Sequence, residues 1–277
     1  ADADGDQSTA TLTITVKGAG DSQTVTAQAA GGATTTVYET ALVDGRTELS
    51  DPAVNSDTRE AVSGTFQVSA TDGVASVTVL GQTFVPGGPL PQDINTGYGL
   101  LDITSFVLAA DGKSATVGYT YTLSDNVLTP PAGIDYFDDI GNGITVTGVS
   151  GASSASVDLQ IRIIDDTPLA VNDAGGTVTE DGAGSLGGNV LDNDEAGADK
   201  PAVFVSWGAD AAAVAALNSY GTLVRDPSTG DWSYVLDNSR PATQALGASF
   251  NQTYTLNYTM ADADGDQSTA TLTITVK

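Results

Sequence analysis

Residues 261–277 read ADADGDQSTATLTITVK, and this one stretch decides both a fold and a chemistry. Leu272, Ile274 and Val276 alternate with Thr271, Thr273 and Thr275. A period of two sends successive side chains to opposite faces, so this is a half-buried β-strand. Just upstream, Tyr254, Leu256, Tyr258 and Met260 alternate with Thr253, Thr255, Asn257 and Thr259 in the same way. Between the two strands, Asp262, Asp264 and Asp266 stand at i, i+2 and i+4 around Gly265.

The same seventeen residues open the chain. Residues 1–17 repeat 261–277 without a change, at an offset of 260. A shared fold alone tolerates substitution at most surface positions, so identity of this length points to a duplicated gene segment, or else to a copy engineered onto the N-terminus. On the first reading the chain is one period of a tandem array plus the closing strand of the preceding copy. A period of 260 is far longer than a solenoid repeat and must hold whole domains.

Working outward, alternation recurs. Val117, Tyr119 and Tyr121 interleave with threonines, and Val157, Leu159, Ile161 and Ile163 flank Asp158, Gln160 and Arg162. Further strands are expected at 62–69, 74–80, 101–108, 144–149, 202–207, 221–225 and 231–236. Asp72-Gly73 and Asp111-Gly112 read as hairpin turns. Only Ala209 to Leu217 reads as a short helix. Many short strands with turn signals every 8–12 residues define an all-β fold of tandem Ig-like, cadherin-like β-sandwiches in an elongated arrangement. Asp165-Asp166-Thr167-Pro168 follows a strand and carries a proline that cannot donate to a ladder, so the boundary falls there. The expected domains are 18–166 and 167–277, with 1–17 as the terminal strand of the preceding unit. Residues 8–17 then need a partner: an edge of the 18–166 sheet, which is favoured, or a neighbouring molecule.

Composition agrees. The 277 residues hold 37 Thr, 32 Gly, 30 Asp and only 5 Glu, a bias toward strands, turns and hard-cation sites rather than helices. There is no His and no Cys, which removes Ser-His-Asp and cysteine nucleophiles, N/S zinc sites and disulfides. The net charge of -26 is distributed: -14 on 18–166 and -10 on 167–277. Nucleic acid is excluded as a partner by the shortage of Lys and Arg. Membrane insertion is excluded because no apolar run approaches ~20 residues. The chain begins with Ala1 and reads as a piece of something longer.

From Asp166 the motifs become specific. Asp166-Thr167-Pro168, Val171-Asn172-Asp173, Val178-Thr179-Glu180-Asp181 and Gly188-Asn189-Val190-Leu191-Asp192-Asn193-Asp194 resemble the opening of VCBS-type, cadherin-like repeats of giant bacterial surface proteins. Tyr220-Gly221-Thr222-Leu223, Gly230 to Asp237 and Asp262 to Asp266 continue that pattern in order. Gly64-Thr65-Phe66, Asp72-Gly73, Tyr121-Thr122-Leu123 and Ile164 to Pro168 look like the repeats of type I-secreted RTX adhesins. The resemblance implies a cell-adhesion and biofilm protein on the outer surface of a Gram-negative bacterium. In it these modules act as spacers (extenders), folded and rigidified by calcium, that project a distal ligand-binding domain. Its partners are the neighbouring repeats of the same chain, and the module is expected to be monomeric and not an enzyme.

Oxygen-only carboxylate clusters on loops suit Ca²⁺, which takes 6–8 oxygen ligands at about 2.3–2.6 Å. An EF-hand fails, since Gln267 stands at the sixth position and Thr273 at the twelfth. The loop 262–266 is therefore an incomplete shell. The expected metal ligands are Asp2, Asp4 and Asp6, Asp165 and Asp166, Asp173, Glu180 and Asp181, Asp192, Asn193 and Asp194, and Asp262, Asp264 and Asp266. The competing reading makes these Asx-turns on a solvated face, and that reading holds for the isolated Asp111-Gly112. Asp135-Tyr136-Phe137-Asp138-Asp139 is balanced between the two. Trp207 and Trp232 read as sandwich core rather than a sugar platform. Two other functions stay open: a glycan- or protein-binding sandwich using 81–100 or 124–143, and a glycosidase built on paired carboxylates.

Overall fold

A computed structural model describes residues 21–27, 32, 35–46, 58–90, 92–128, 136–139, 143–182 and 184–277. Asp2, Asp4, Asp6 and the strand expected at 8–17 lie outside the described residues.

The first part holds β1 (Gln23–Thr26), β2 (Thr36–Tyr38), β3 (Ala61–Ala70), β4 (Val74–Val79), β5 (Gln82–Phe84) and β6 (Gln92–Asn95). It continues with β7 (Gly99–Leu108), β8 (Ser114–Leu123), β9 (Tyr136–Asp139), β10 (Ile144–Gly148) and β11 (Ile161–Ile164). These form a five-stranded sheet ordered β1-β3-β8-β7-β6 and two three-stranded sheets, β10-β4-β5 and β2-β11-β9. The second part holds β12 (Asp173–Val178), β13 (Ser185–Asn189), β14 (Val203–Trp207), α1 (Ala211–Tyr220) and β15 (Gly221–Arg225). After them come β16 (Asp231–Leu236), α2 (Pro241–Gln244), β17 (Gln252–Ala261) and β18 (Gln267–Val276). Their sheets are β12-β18-β17-β14 and β13-β16-β15. The fold is all-β.

The opening stretch folds as read. β17 and β18 pair antiparallel with Leu256 opposite Leu272 and Tyr258 opposite Ala270. Leu256, Leu272, Ile274 and Val276 are fully buried, and burying each such side chain contributes about 1.5–3 kcal/mol. Their threonine neighbours face outward, where the hydroxyls of Thr253 and Thr275 bond at 2.8 Å. Buried apolar side chains gather in two clusters. One is built around Phe66, Leu101, Tyr119, Tyr121, Ile144 and Ile161, the other around Val178, Tyr234, Leu256, Leu272 and Ile274. Trp232 is buried in the second cluster, and Trp207 packs against it with its Nε1–H on the Asp226 carbonyl at 2.8 Å.

Three local readings change. Asp111-Gly112 turns a hairpin between paired β7 and β8, but Asp72-Gly73 carries the chain from β3 to β4, which lie in different sheets. The strand expected across 157–163 is regular only from Ile161. Val157 instead makes a single bridge to Ile144, while Leu159 plugs the core. The helix begins at Ala211 rather than Ala209, because the Asp210 carboxylate is taken by the backbone and side-chain amides of Asn257 at 2.7 and 2.6 Å.

Candidate metal centre

The site starts from strand register. β11 runs parallel to β2, with Ile164 opposite Tyr38. The next residue on each strand is an acid, Asp165 and Glu39, and parallel register brings the two out side by side. Glu39 opens a 3₁₀ turn, Glu39–Ala41, and both acids are buried. Glu39 is held in place, since its Oε1 accepts the Val127 N–H at 2.6 Å and its Oε2 accepts the Asp166 N–H at 3.4 Å.

From the second part come Asp199 and the loop 262–266. Asp199 is 0% exposed and Asp262 is 3% exposed. The loop is shaped by its own carboxylates: Asp262 Oδ1 accepts the Gly265 N–H at 3.1 Å, and Asp264 Oδ1 accepts the Asp266 N–H at 3.4 Å. Gly265 sits at φ +106°, where a side chain would be strained. The Asp199 carbonyl accepts the Ala263 N–H at 2.9 Å and so docks this loop. Carboxylate oxygens of Glu39, Asp165 and Asp199 lie within 4.8 Å of one another, as do those of Asp199, Asp262 and Asp264. Asp199 joins the two groups.

The electrostatics are unfavourable for bare carboxylates. Both oxygens of Asp165 and one each of Asp166, Asp199 and Asp262 are buried without a hydrogen-bond partner. Such groups cost several kcal/mol apiece unless a proton or a cation intervenes. Burial, then the charges of Asp264, Glu39 and Asp199, push Asp165 up to about 9. Burial and contact with Asp264 raise Asp262 to about 8, and burial with the Asp199 charge raises Glu39 to about 7. Asp199 rises to about 6, chiefly through burial. The ion pairs Arg162–Asp138, Lys200–Asp44 and Arg240–Asp237 leave these acids aside. The unpartnered oxygens, all hard donors, fit a divalent cation of the Ca²⁺ type and give a soft metal nothing to bind.

Asp166 acts as a brace. Its Oδ2 accepts the Arg46 N–H at 2.5 Å and the Ala198 N–H at 3.0 Å, which orders the segment leading into Asp199.

Of the expected ligands, Asp165, Asp166, Asp262, Asp264 and Asp266 meet here. Asp173 and Asp194 form a separate group beside Tyr258, whose hydroxyl donates to Asp194 Oδ1 at 2.8 Å. Burial, followed by the charges of Asp194 and Asp192, raises Asp173 to about 6. Asp192 begins a turn, and Asn193 Nδ2 donates to the Val171 carbonyl at 3.2 Å. Glu180 and Asp181 lie past the far end of β12, beside Lys277 and away from the loop 262–266. Asp138 instead forms a bidentate pair with Arg162 at 2.7 and 2.9 Å, and Asp139 accepts the Tyr121 hydroxyl at 2.8 Å. Sequence reading missed Glu39 and Asp199, each a lone acid in a run of small or neutral residues.

Residues 165–277 match the family described as "Bacterial cadherin-like domain", which is less than half of the chain. That segment is a cadherin-like repeat. No curated protein matches the chain. Among solved structures it is similar to zebrafish RET cadherin-like domains 1 to 4, at 14% identity and a TM-score of 0.27, covering 92% of this chain and 52% of that one. For protocadherin gamma C5 EC1-3 the values are 11% and 0.28, covering 78% and 77%. For PcdhgB3 EC1-4 they are 12% and 0.25, and this chain spans 57% of its length. No helix among the described residues is long and apolar enough to cross a membrane.

Proposed function

We propose that the chain is a spacer module of a bacterial surface adhesin: two β-sandwich domains, 18–166 and 167–277, locked end to end by calcium at their junction. The observation that supports this reading is the set of buried, partnerless carboxylate oxygens contributed from both sides of Asp165-Asp166. Glu39, Asp165, Asp199, Asp262 and Asp264 would hold the ion, and Asp166 positions Ala198 so that Asp199 can join them. When bound, the ion supplies the positive charge that these acids otherwise lack. The protein's own part is to fix five carboxylates before the ion arrives, which lowers the ordering cost of binding.

Extracellular modules of this kind bind calcium at about 10⁻⁴–10⁻³ M, so the site fills outside a cell and stays empty in the cytosol. Binding to the folded state alone then adds stability after export. The module sits on the outer surface of a Gram-negative cell, is monomeric, and has neighbouring repeats as its partners. Calorimetric titration with calcium, together with melting in chelator, tests this. Millimolar-range binding and a lower melting temperature in chelator are expected; no heat and an unchanged melting temperature overturn it.

A further inference from the structure

The same strand arrangement leaves each part of the chain. β11 pairs parallel to β2, with Ile164 opposite Tyr38, and β18 pairs parallel to β12, with Val276 opposite Val178. The residues that exit these two pairs therefore occupy corresponding places. After β11 and β2 come Asp165, Asp166 and Glu39. After β18 and β12 come Lys277, Thr179 and Glu180. An ammonium thus stands where the first exit has its most strongly perturbed carboxylate.

We propose that the array has two alternating kinds of joint: a cation-locked joint at Asp165-Asp166, and a cation-indifferent joint just after Lys277. The first half of this statement rests on the calcium reading above; the second half stands on the chemistry of the other exit. There Lys277 is exposed, its N–H bonded to the Val178 carbonyl and its own carbonyl to the Glu180 N–H. The Glu180 carboxylate already accepts Gln244 Nε2 at 3.2 Å. Among the described residues, no buried partnerless carboxylate lies at this exit, and both acid clusters able to hold a cation lie at the other one.

The upstream copy of the segment carries its own linker. Lys17 leads into Gly18-Ala19-Gly20-Asp21-Ser22, whereas Ile164 leads into Asp165-Asp166-Thr167-Pro168. Glycine-rich linkers are flexible coils, and proline shortens the range of the other. β1 then enters beside Thr71, which exchanges hydrogen bonds with Ser22. The nearby acids are occupied by their own turns: Asp72 Oδ2 accepts the Ser150 N–H at 2.5 Å and Asp111 Oδ1 accepts the Lys113 N–H at 3.0 Å. They meet Lys277 with no shared cluster. The array is then a string of two-domain rods, each stiffened by calcium, joined by hinges that calcium does not touch.

The test is a chain of two periods, residues 1–277 continued by 18–277, spin-labelled at one pair of introduced cysteines at a time. The absence of native Cys makes this labelling clean. Exposed Thr104 and Ser206 straddle the first joint. Exposed Ser249 of one period and Ala110 of the next straddle the second. The expected result is that calcium narrows the first distance distribution and leaves the second unchanged. Narrowing of both overturns the two-joint proposal while sparing the calcium reading. Narrowing of neither overturns the calcium reading and, with it, the locked joint.

Discussion

Asn126, in the loop after β8, donates its Nδ2–H to Asp199 Oδ1 at 2.6 Å, so one part of the chain holds a carboxylate of the other. The bond leaves Asp199 Oδ2 buried and unpartnered between Glu39, Asp165, Asp262 and Asp264. Asp199 is thereby oriented as the shared member of both acid groups.

Asp199→Asn is expected to have opposite effects with and without calcium. Removing a charged ligand from a site whose affinity depends on its charge count weakens calcium binding by about tenfold or more. In chelator the same change removes one of the crowded charges and adds an amide donor, so the melting temperature rises. Titration calorimetry and thermal melting read the two arms. A weaker site with a lower chelator melting temperature would show that Asp199 serves packing alone.

The pH response has its origin in the same crowding. Glu39, Asp262 and Asp165 hold folded values of about 7, 8 and 9, all above the ordinary carboxylate range. The folded state therefore keeps protons that the unfolded state has released, and stability falls as pH rises through this window. In chelator the protein should melt at a higher temperature at pH 6 than at pH 9. Surface carboxylates are fully ionised throughout that interval, so the slope reports the junction. Calcium displaces these protons, so its affinity rises over the same range. Glu39→Gln combined with Asp165→Asn should flatten the chelator slope.

The strands were legible where one face is wet. β8, β17 and β18 alternate because their threonines meet solvent, and β16 keeps Trp232 and Tyr234 inward in the same way. β2 and β9 hold only three and four residues, too few for a period to show. β12 and β13 carry glycines where alternation would need side chains. The metal loop was legible because its three acids are close in sequence. Glu39 was not: it reaches Asp165 only through the parallel pairing of β2 with β11, a contact across more than a hundred residues. Asp199 is likewise brought in by its Ala263 and Asn126 bonds, which no local pattern announces.

Leu272→Ala tests the core apart from the site. Leu272 is fully buried between β12 and β17, and truncating such a side chain costs about 2–5 kcal/mol through lost transfer energy and the cavity left behind. Chemical denaturation should show that loss in calcium and in chelator alike, because the side chain touches no ligand. A loss confined to one condition would mean that the strand and the loop are coupled.

Two acid groups can finally be told apart by who satisfies them. Asp194 takes the Val171 N–H at 2.7 Å and the Tyr258 hydroxyl, donors that the fold supplies permanently. Asp165 takes none. Tyr258→Phe should therefore cost about 1–3 kcal/mol by leaving Asp194 short of a donor, and leave calcium binding at the junction intact. Asp165→Asn should do the reverse, abolishing most of the calcium-induced rise in melting temperature while leaving the chelator value equal or higher. Measuring both variants with and without calcium gives a fourfold comparison. An equal loss of the calcium response in both would place the cation at the Asp173–Asp194 group rather than at the junction.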